Sequence, residues 1–197
     1  MDVSVSLAIA SPTKPEPEPL PVLERAREGD AAAQAELYRE HAATLTRRLA
    51  HACGDDELAR DVAQDAFITA FARLRDYRGR SSFSTWLHGI GFNHLRDRRK
   101  RGARERSGKA RLALVGPETS PSPEQRTSSR QALAKLDAVL AELKPKLREA
   151  FVLRVVEQLS LEESAEILGA RVATVSYRAR KAEALVRAAF EREGDEA

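Results

Sequence analysis

Cys53 is the one cysteine among the 197 residues, so the chain has no internal disulfide framework and suits a reducing cytoplasm. No apolar run approaches the roughly 20 residues that a membrane-spanning helix needs. The amino terminus has a short apolar patch, but Asp2 stands where a secretory leader carries basic residues. A soluble, cytoplasmic protein without membrane insertion is expected. No Gly-rich phosphate loop and no nucleophile with an identifiable base is present, which argues against an enzyme. Metal ligands are equally scarce. His51 and Cys53 are separated by one residue and His88 and His94 share a later stretch, but neither spacing makes a zinc set. Asp55, Asp56, Asp61 and Asp65 span a helix start and two successive turns, and converge poorly on one ion. No cofactor, metal or catalytic residue is expected.

Positive charge, by contrast, is present in excess at one place. From Arg73 to Arg111 the chain carries 13 Lys or Arg against 3 Asp or Glu, so the remainder is acidic although the whole is only +3. Like charges at that density repel each other and favour an open chain, which implies a polyanion partner for the middle and a different partner elsewhere. The stretch "WLHGIGFNHLRDRRKRGARERSGKAR", residues 86 to 111, begins as a buried helix and ends as this basic run.

The length allows one ordinary domain or two small ones, each with a modest core. Residues 1–20 are rich in Pro and Glu towards their end and read as a disordered lead-in. A first helical block follows over 21–105. Asp30 suits a helix N-cap, Leu37, Leu45, Leu49 and Ala52 recur at helical spacing, and "CGDDE" breaks that helix. Leu58, Val62, Phe67, Ile68, Phe71 and Leu74 form a second apolar stripe, and Phe83, Leu87, Ile90 and Leu95 a third.

Residues 106–130 read as linker, since "GPETSPSPEQRTSSR" has more Pro, Ser and Thr than a packed helix tolerates. The second block, 131–192, opens with Leu133, Leu136, Leu140 and Leu143 on a helix that stops before Pro145. Pro145 itself fits the first turn of the next helix. Ser160 and Glu163 make a capping box, and Gly169 ends that short helix. A longer basic helix then begins near Val172 with Val175, Ala179, Ala182, Val186 and Ala189 on one face. Short helix, glycine turn and basic helix together read as a helix-turn-helix. The expected fold is therefore all-α, with two small helical domains on a flexible linker.

Three segments, "DVAQDAF" (61–67), "FSTWLHGIGFNHLRDRRKR" (83–101) and "LKPKLREAFVLRVVEQLSLEESAEILGARVATVSYRARKAE" (143–183), resemble the extracytoplasmic-function (ECF) sigma factors. These are specificity subunits of bacterial RNA polymerase in the sigma-70 family. The likeness runs over roughly residues 21–190, with the motifs in family order. Its first block corresponds to region 2 and its second to region 4. The resemblance implies core RNA polymerase and promoter DNA as partners, with an anti-sigma factor as a regulatory one.

On that resemblance, Asp61, Gln64 and Asp65 meet core polymerase. Tyr77, Arg78 and Arg80 of the loop, with Asn93, Arg96, Arg98, Arg99, Lys100 and Arg101 of the basic helix, meet the minus-ten element and its melted strand. In region 4, Thr174 and Arg178 would touch phosphates and Ser176, Tyr177, Arg180 and Lys181 would face bases of the minus-thirty-five element, with Arg171 also among the residues that bind it. The residues alone favour less. Trp86 on its stripe is better read as core, and the charged loop stands evenly between a strand-capturing surface and a solvated one. The competing assignment is a stand-alone helix-turn-helix regulator, in which the first block would sense or dimerise.

Overall fold

The computed structural model describes residues 20–109, 136 and 138–194, and among them all regular structure is helical. The expected lead-in up to residue 19, linker residues 110–130 and Leu133 lie outside the described residues.

Helix α1 (Leu20–Arg27) leads into α2 (Ala31–Cys53), whose start is fixed by Asp30: its carboxylate accepts from the backbone N–H groups of Ala32 and Ala33. That is the capping chemistry the sequence implies. Arg25 hydrogen-bonds the same carboxylate and is the main reason its pKa falls below the usual carboxylate value. Gly54, at φ +74°, ends α2, and Asp55 caps α3 (Asp56–Ala72) by accepting from Leu58 N–H at 2.9 Å. A short turn, Leu74–Asp76, precedes α4 (Phe83–Lys109). Ser82 begins α4 by accepting from Thr85 N–H. The helix runs on to Lys109, past the border expected at residue 105.

The second block begins with α5 (138–142). Helix α6 (Pro145–Phe151) has Pro145 in its first turn and passes directly into a wider π-turn, Val152–Val156. Helix α7 (Leu161–Leu168) carries both halves of the capping box between Ser160 and Glu163 and stops at Gly169, φ +57°. Helix α8 (Val172–Gly194) completes the helix-turn-helix.

The core of the first block is built as the periodicities imply from Leu37, Leu45, Leu49, Val62, Phe67, Phe83, Leu87 and Leu95, all buried, with Phe92 added. Ile68 departs from that reading: it is 62% exposed, because Val62, Ala66, Phe67 and Ala70 already fill the inward face of α3. Trp86 packs against the core, as expected. Leu140, Leu143, Phe151 and Ala182 make a smaller cluster in the second block. The main core does not stop at the block boundary. Leu153, Ile167, Leu168 and Val175 join it: α7 packs onto α4, α6 and its π-turn onto α2, and α8 rests on α6 and α7.

Candidate polymerase and nucleic-acid surfaces

Helix α3 presents Asp61 and Gln64 to solvent and Asp65 at its edge, one turn apart, while Val62 and Phe67 turn inward. Exposed Ile68 continues this face by another turn. Arg98 of α4 reaches across, donating to Asp65 at 2.5 Å with Asp61 at 3.9 Å. Both partners of the closer pair are more than a third exposed, so it contributes about 0–1 kcal/mol and is easily exchanged for another partner.

The loop before α4 is only partly what the sequence implies. Arg78 and Arg80 are exposed. Tyr77 is 8% exposed, its hydroxyl donates to Ser81 O at 2.5 Å, and Arg27 donates to its carbonyl. Its ring lies against Phe83 and Trp86. Tyr77 therefore acts here as a plug beneath the loop and offers no open stacking platform for a base. An aromatic next to a helix-starting Ser-Ser-Phe has apolar neighbours within reach, and burial wins.

Helix α4 holds its front half in the core through Phe83, Leu87, His88, Phe92 and Leu95. His88 is fully buried. Its Nδ1–H donates to Ser84 O at 2.5 Å, and its Nε2 accepts from Arg48 at 3.2 Å, a tautomer set by the fact that arginine can only donate. Burial, with the Arg48 charge as second cause, lowers its pKa to about 3, so this histidine stays neutral. Further along, Asn93, Lys100 and Arg101 are exposed. Three arginines of the basic run, in contrast, already have partners. Arg96 donates to Leu168 O at 2.7 Å and to the side-chain oxygen of Asn93. Arg99 donates to Glu149 at 2.8 Å and to Ala52 O at 2.7 Å, and Arg98 serves Asp65.

These contacts bring in residues that the sequence reading did not single out. Glu157 is 3% exposed and accepts from Arg48 at 2.9 Å and Arg47 at 3.2 Å. Burial alone would raise its pKa, but the two guanidinium groups outweigh that and hold the carboxyl below its usual value. The backbone turns sharply after it: the π-turn closes with Glu157 N–H on Val152 O, and Gln158 takes φ +50°. A left-handed non-glycine residue costs on the order of 1–2 kcal/mol. Glu149 is 2% exposed, and desolvation raises its pKa despite Arg99 beside it. Arg148 donates to His51 O at 2.7 Å, and a Cβ at Gly54 would meet its guanidinium at 2.9 Å. The available signal was two glutamates within the apolar run of α6 and its π-turn, since carboxylates are rarely buried without a cation.

Arg171, just before α8, and Tyr177, Arg180 and Lys181 on it are exposed, while Thr174, Ser176 and Arg178 are partly so. Lys181 lies 5.7 Å from the Tyr177 ring centre and 3.4 Å from its hydroxyl. Val175, Ala179 and Ala182 hold the opposite side. The helix thus offers one polar, cationic face of a width that a major groove admits. Among the described residues no cluster of His, Cys, Asp and Glu could hold a metal, and no helix is long and apolar enough to cross a membrane.

The sequence matches the model of Sigma-70 region 2 over residues 37–105 and that of Sigma-70 region 4 over 133–186. It is 34% identical to the RNA polymerase sigma factor CnrH of Cupriavidus metallidurans over 143 residues, covering 68% of this chain and 74% of that protein. With the RNA polymerase sigma-H factor of Pseudomonas aeruginosa it shares 33% over 175 residues, 82% and 89% of the two chains. The ECF sigma factor SigE of Mycolicibacterium smegmatis is 33% identical over 159 residues, 76% of this chain and 60% of that one. Among solved structures, CnrH in complex with the cytosolic domain of CnrY superposes with a TM-score of 0.63 at 26% identity, covering 87% of this chain and 96% of that one. The chain belongs to the ECF group of the sigma-70 family. A stand-alone helix-turn-helix regulator is not favoured, since it gives no account of a region 2 spanning α2 to α4.

Proposed function

We propose that this protein is a sigma factor that binds core RNA polymerase, directs it to specific promoters and helps to melt them. The observation that carries this is the ordered pair of sigma-70 regions, one ending in a cationic helix and the other in an exposed basic recognition helix.

In this reading Asp61, Gln64 and Asp65 dock on core polymerase, with Ile68 adding an apolar contact beside them. Arg78, Arg80, Asn93 and the basic end of α4 engage the minus-ten element and its open strand through phosphates and base edges. Arg171, Thr174 and Arg178 position α8 on the duplex, and Ser176, Tyr177, Arg180 and Lys181 read the minus-thirty-five element. The protein thus works where the polymerase does, in the cell interior. An anti-sigma factor is its proposed regulator, in line with the complex in which CnrH was solved.

Titration of labelled protein with core polymerase tests the reading. Tight association is expected, and Gln64→Ala with Asp65→Ala should weaken it at least tenfold while circular dichroism stays unchanged. A protein that binds promoter duplex equally well with and without core, and ignores core in the titration, would be the stand-alone regulator instead.

A further inference from the structure

Helix α1 lies ahead of residue 37, where the match to region 2 begins, and no role in the sigma reading falls on it. It is nevertheless firmly fixed. Leu23 and Ala26 are buried in the main core, Gln34 donates to the Ala26 carbonyl at 3.1 Å, and Arg25 grips the Asp30 carboxylate that caps α2. From this base Arg27, the last residue of α1, reaches across to the loop before α4. A cation in a last turn ordinarily serves the carbonyls of its own helix. The Arg27 guanidinium instead donates from Nη2 to the Tyr77 carbonyl at 2.8 Å, 50 residues further along the chain. Its Nε is buried without an acceptor, a destabilising feature that simple packing of α1 on α2 would not call for.

Tyr77 is where the loop is held. Its N–H donates to Leu74 O at 3.2 Å, its hydroxyl donates to Ser81 O at 2.5 Å, and its ring is covered by Phe83 and Trp86. Ser82 closes the other end by accepting from Thr85 N–H at the start of α4. Between these two ends stand Arg78, Gly79 and Arg80, all exposed. Gly79 takes φ +67° and has open space where a Cβ would point. The tip is thus a narrow turn with a cation on each side of a glycine, and the frame beneath it sets its direction. Among these contacts, only the Arg27 bond comes from outside residues 74–86.

We propose that Arg27 is a positioning residue for promoter recognition: by holding the Tyr77 carbonyl it fixes the frame from which Arg78 and Arg80 meet the separated strand. This rests on the sigma reading for what the tip meets, but the bond itself is a property of the free chain. A tip held in one direction has less freedom to lose when a strand is captured. It also offers its cations and backbone to one register of bases, so holding the frame raises both affinity and discrimination. Helix α1 thereby serves the minus-ten element without touching it.

Two variants test this. Arg27→Met keeps the apolar stem and removes the donors, whereas Arg27→Lys restores a donor and the charge. In the free protein, amide exchange over residues 78–82 should quicken about tenfold in Arg27→Met, return towards the parent rate in Arg27→Lys, and stay unchanged in α2 and α4. The second measurement uses the protein bound to core polymerase and a single-stranded oligonucleotide carrying the non-template minus-ten strand of a promoter mapped from its own transcript 5′ ends. Arg27→Met should bind this strand about tenfold more weakly and lose less on a scrambled one, with most of the binding regained in Arg27→Lys. The salt dependence should stay that of the parent, since Arg27 touches no phosphate, whereas Arg78→Ala should flatten it by about one contact. Affinity for core polymerase should not change. Unaltered exchange in the loop, equal losses on matched and scrambled strands, a salt dependence flattened as in Arg78→Ala, or a weakened grip on core would each overturn the proposal. Parent protein that fails to direct transcription by core polymerase would instead sink the sigma reading, and the exchange measurement would still decide whether Arg27 holds the loop.

Discussion

His88 shows what a single buried residue demands of the surrounding structure. Its folded pKa of about 3 lies far below the ordinary histidine value, first because it is desolvated and second because Arg48 is near. The unfolded chain therefore takes up a proton below about pH 6.5 that the folded chain refuses. Stability from this group is complete above pH 6.5 and is lost as pH falls towards 3, with a slope of about 1.4 kcal/mol per pH unit. Denaturant unfolding at pH 7.5, 6.5 and 5.5 should reveal it, and His88→Gln should flatten the slope by one proton. An unchanged slope would mean that His88 is solvated. On α8, residue-scale predictions separate position from sequence. Arg178→Ala should weaken all promoters about equally and reduce the salt slope by roughly one contact. Lys181→Ala should cost about 1–3 kcal/mol at the preferred minus-thirty-five element and less at a scrambled one, measured by binding of matched and scrambled duplexes. Equal losses on both would show that the helix supplies charge without reading bases.

At the scale of elements, helix ends proved the most legible feature. Asp30, Asp55, Pro145, Ser160 with Glu163, and Gly169 all do what their local chemistry implies, because capping depends on neighbours a few residues away. Ser160→Ala should accordingly lower stability by about 1 kcal/mol in denaturant unfolding. Faces were legible where the apolar stripe was narrow, as in α2, and less so where apolar residues ran consecutively. Phe67 and Ile68 are adjacent, about 100° apart around α3, and with Phe67 turned inward Ile68 faces solvent. Tyr77 illustrates the other limit. A polar-looking loop sequence does not show that Phe83 and Trp86 stand ready to cover its ring. Loop mutants meant to report strand capture should therefore alter Arg78 and Arg80 and leave Tyr77 intact, since Tyr77→Ala would disturb the packing beneath.

The arrangement of the whole molecule could not be read from local pattern. Partners such as Arg48 and Glu157, or Arg99 and Glu149, are far apart in sequence, and neither periodicity nor capping couples them. What local reading did supply was the charge imbalance, a basic middle within a chain otherwise acidic, and the two blocks turn out to satisfy each other's charges in part. The buried pair sets a further expectation. Arg48→Ala should cost about 3–5 kcal/mol in unfolding measurements by leaving Glu157 buried without its nearest cation, whereas Arg48→Met with Glu157→Leu should be close to neutral.

The central claim, that this chain gives core RNA polymerase its promoter specificity, is tested most directly by transcription of genomic DNA with core polymerase alone and with the purified protein added, followed by sequencing of transcript 5′ ends. The account predicts a new set of start sites that appear only with the protein and share two upstream elements at a fixed spacing, with the set collapsing for Gln64→Ala with Asp65→Ala. Start sites identical with and without the protein, or new ones without a common pair of elements, would contradict it.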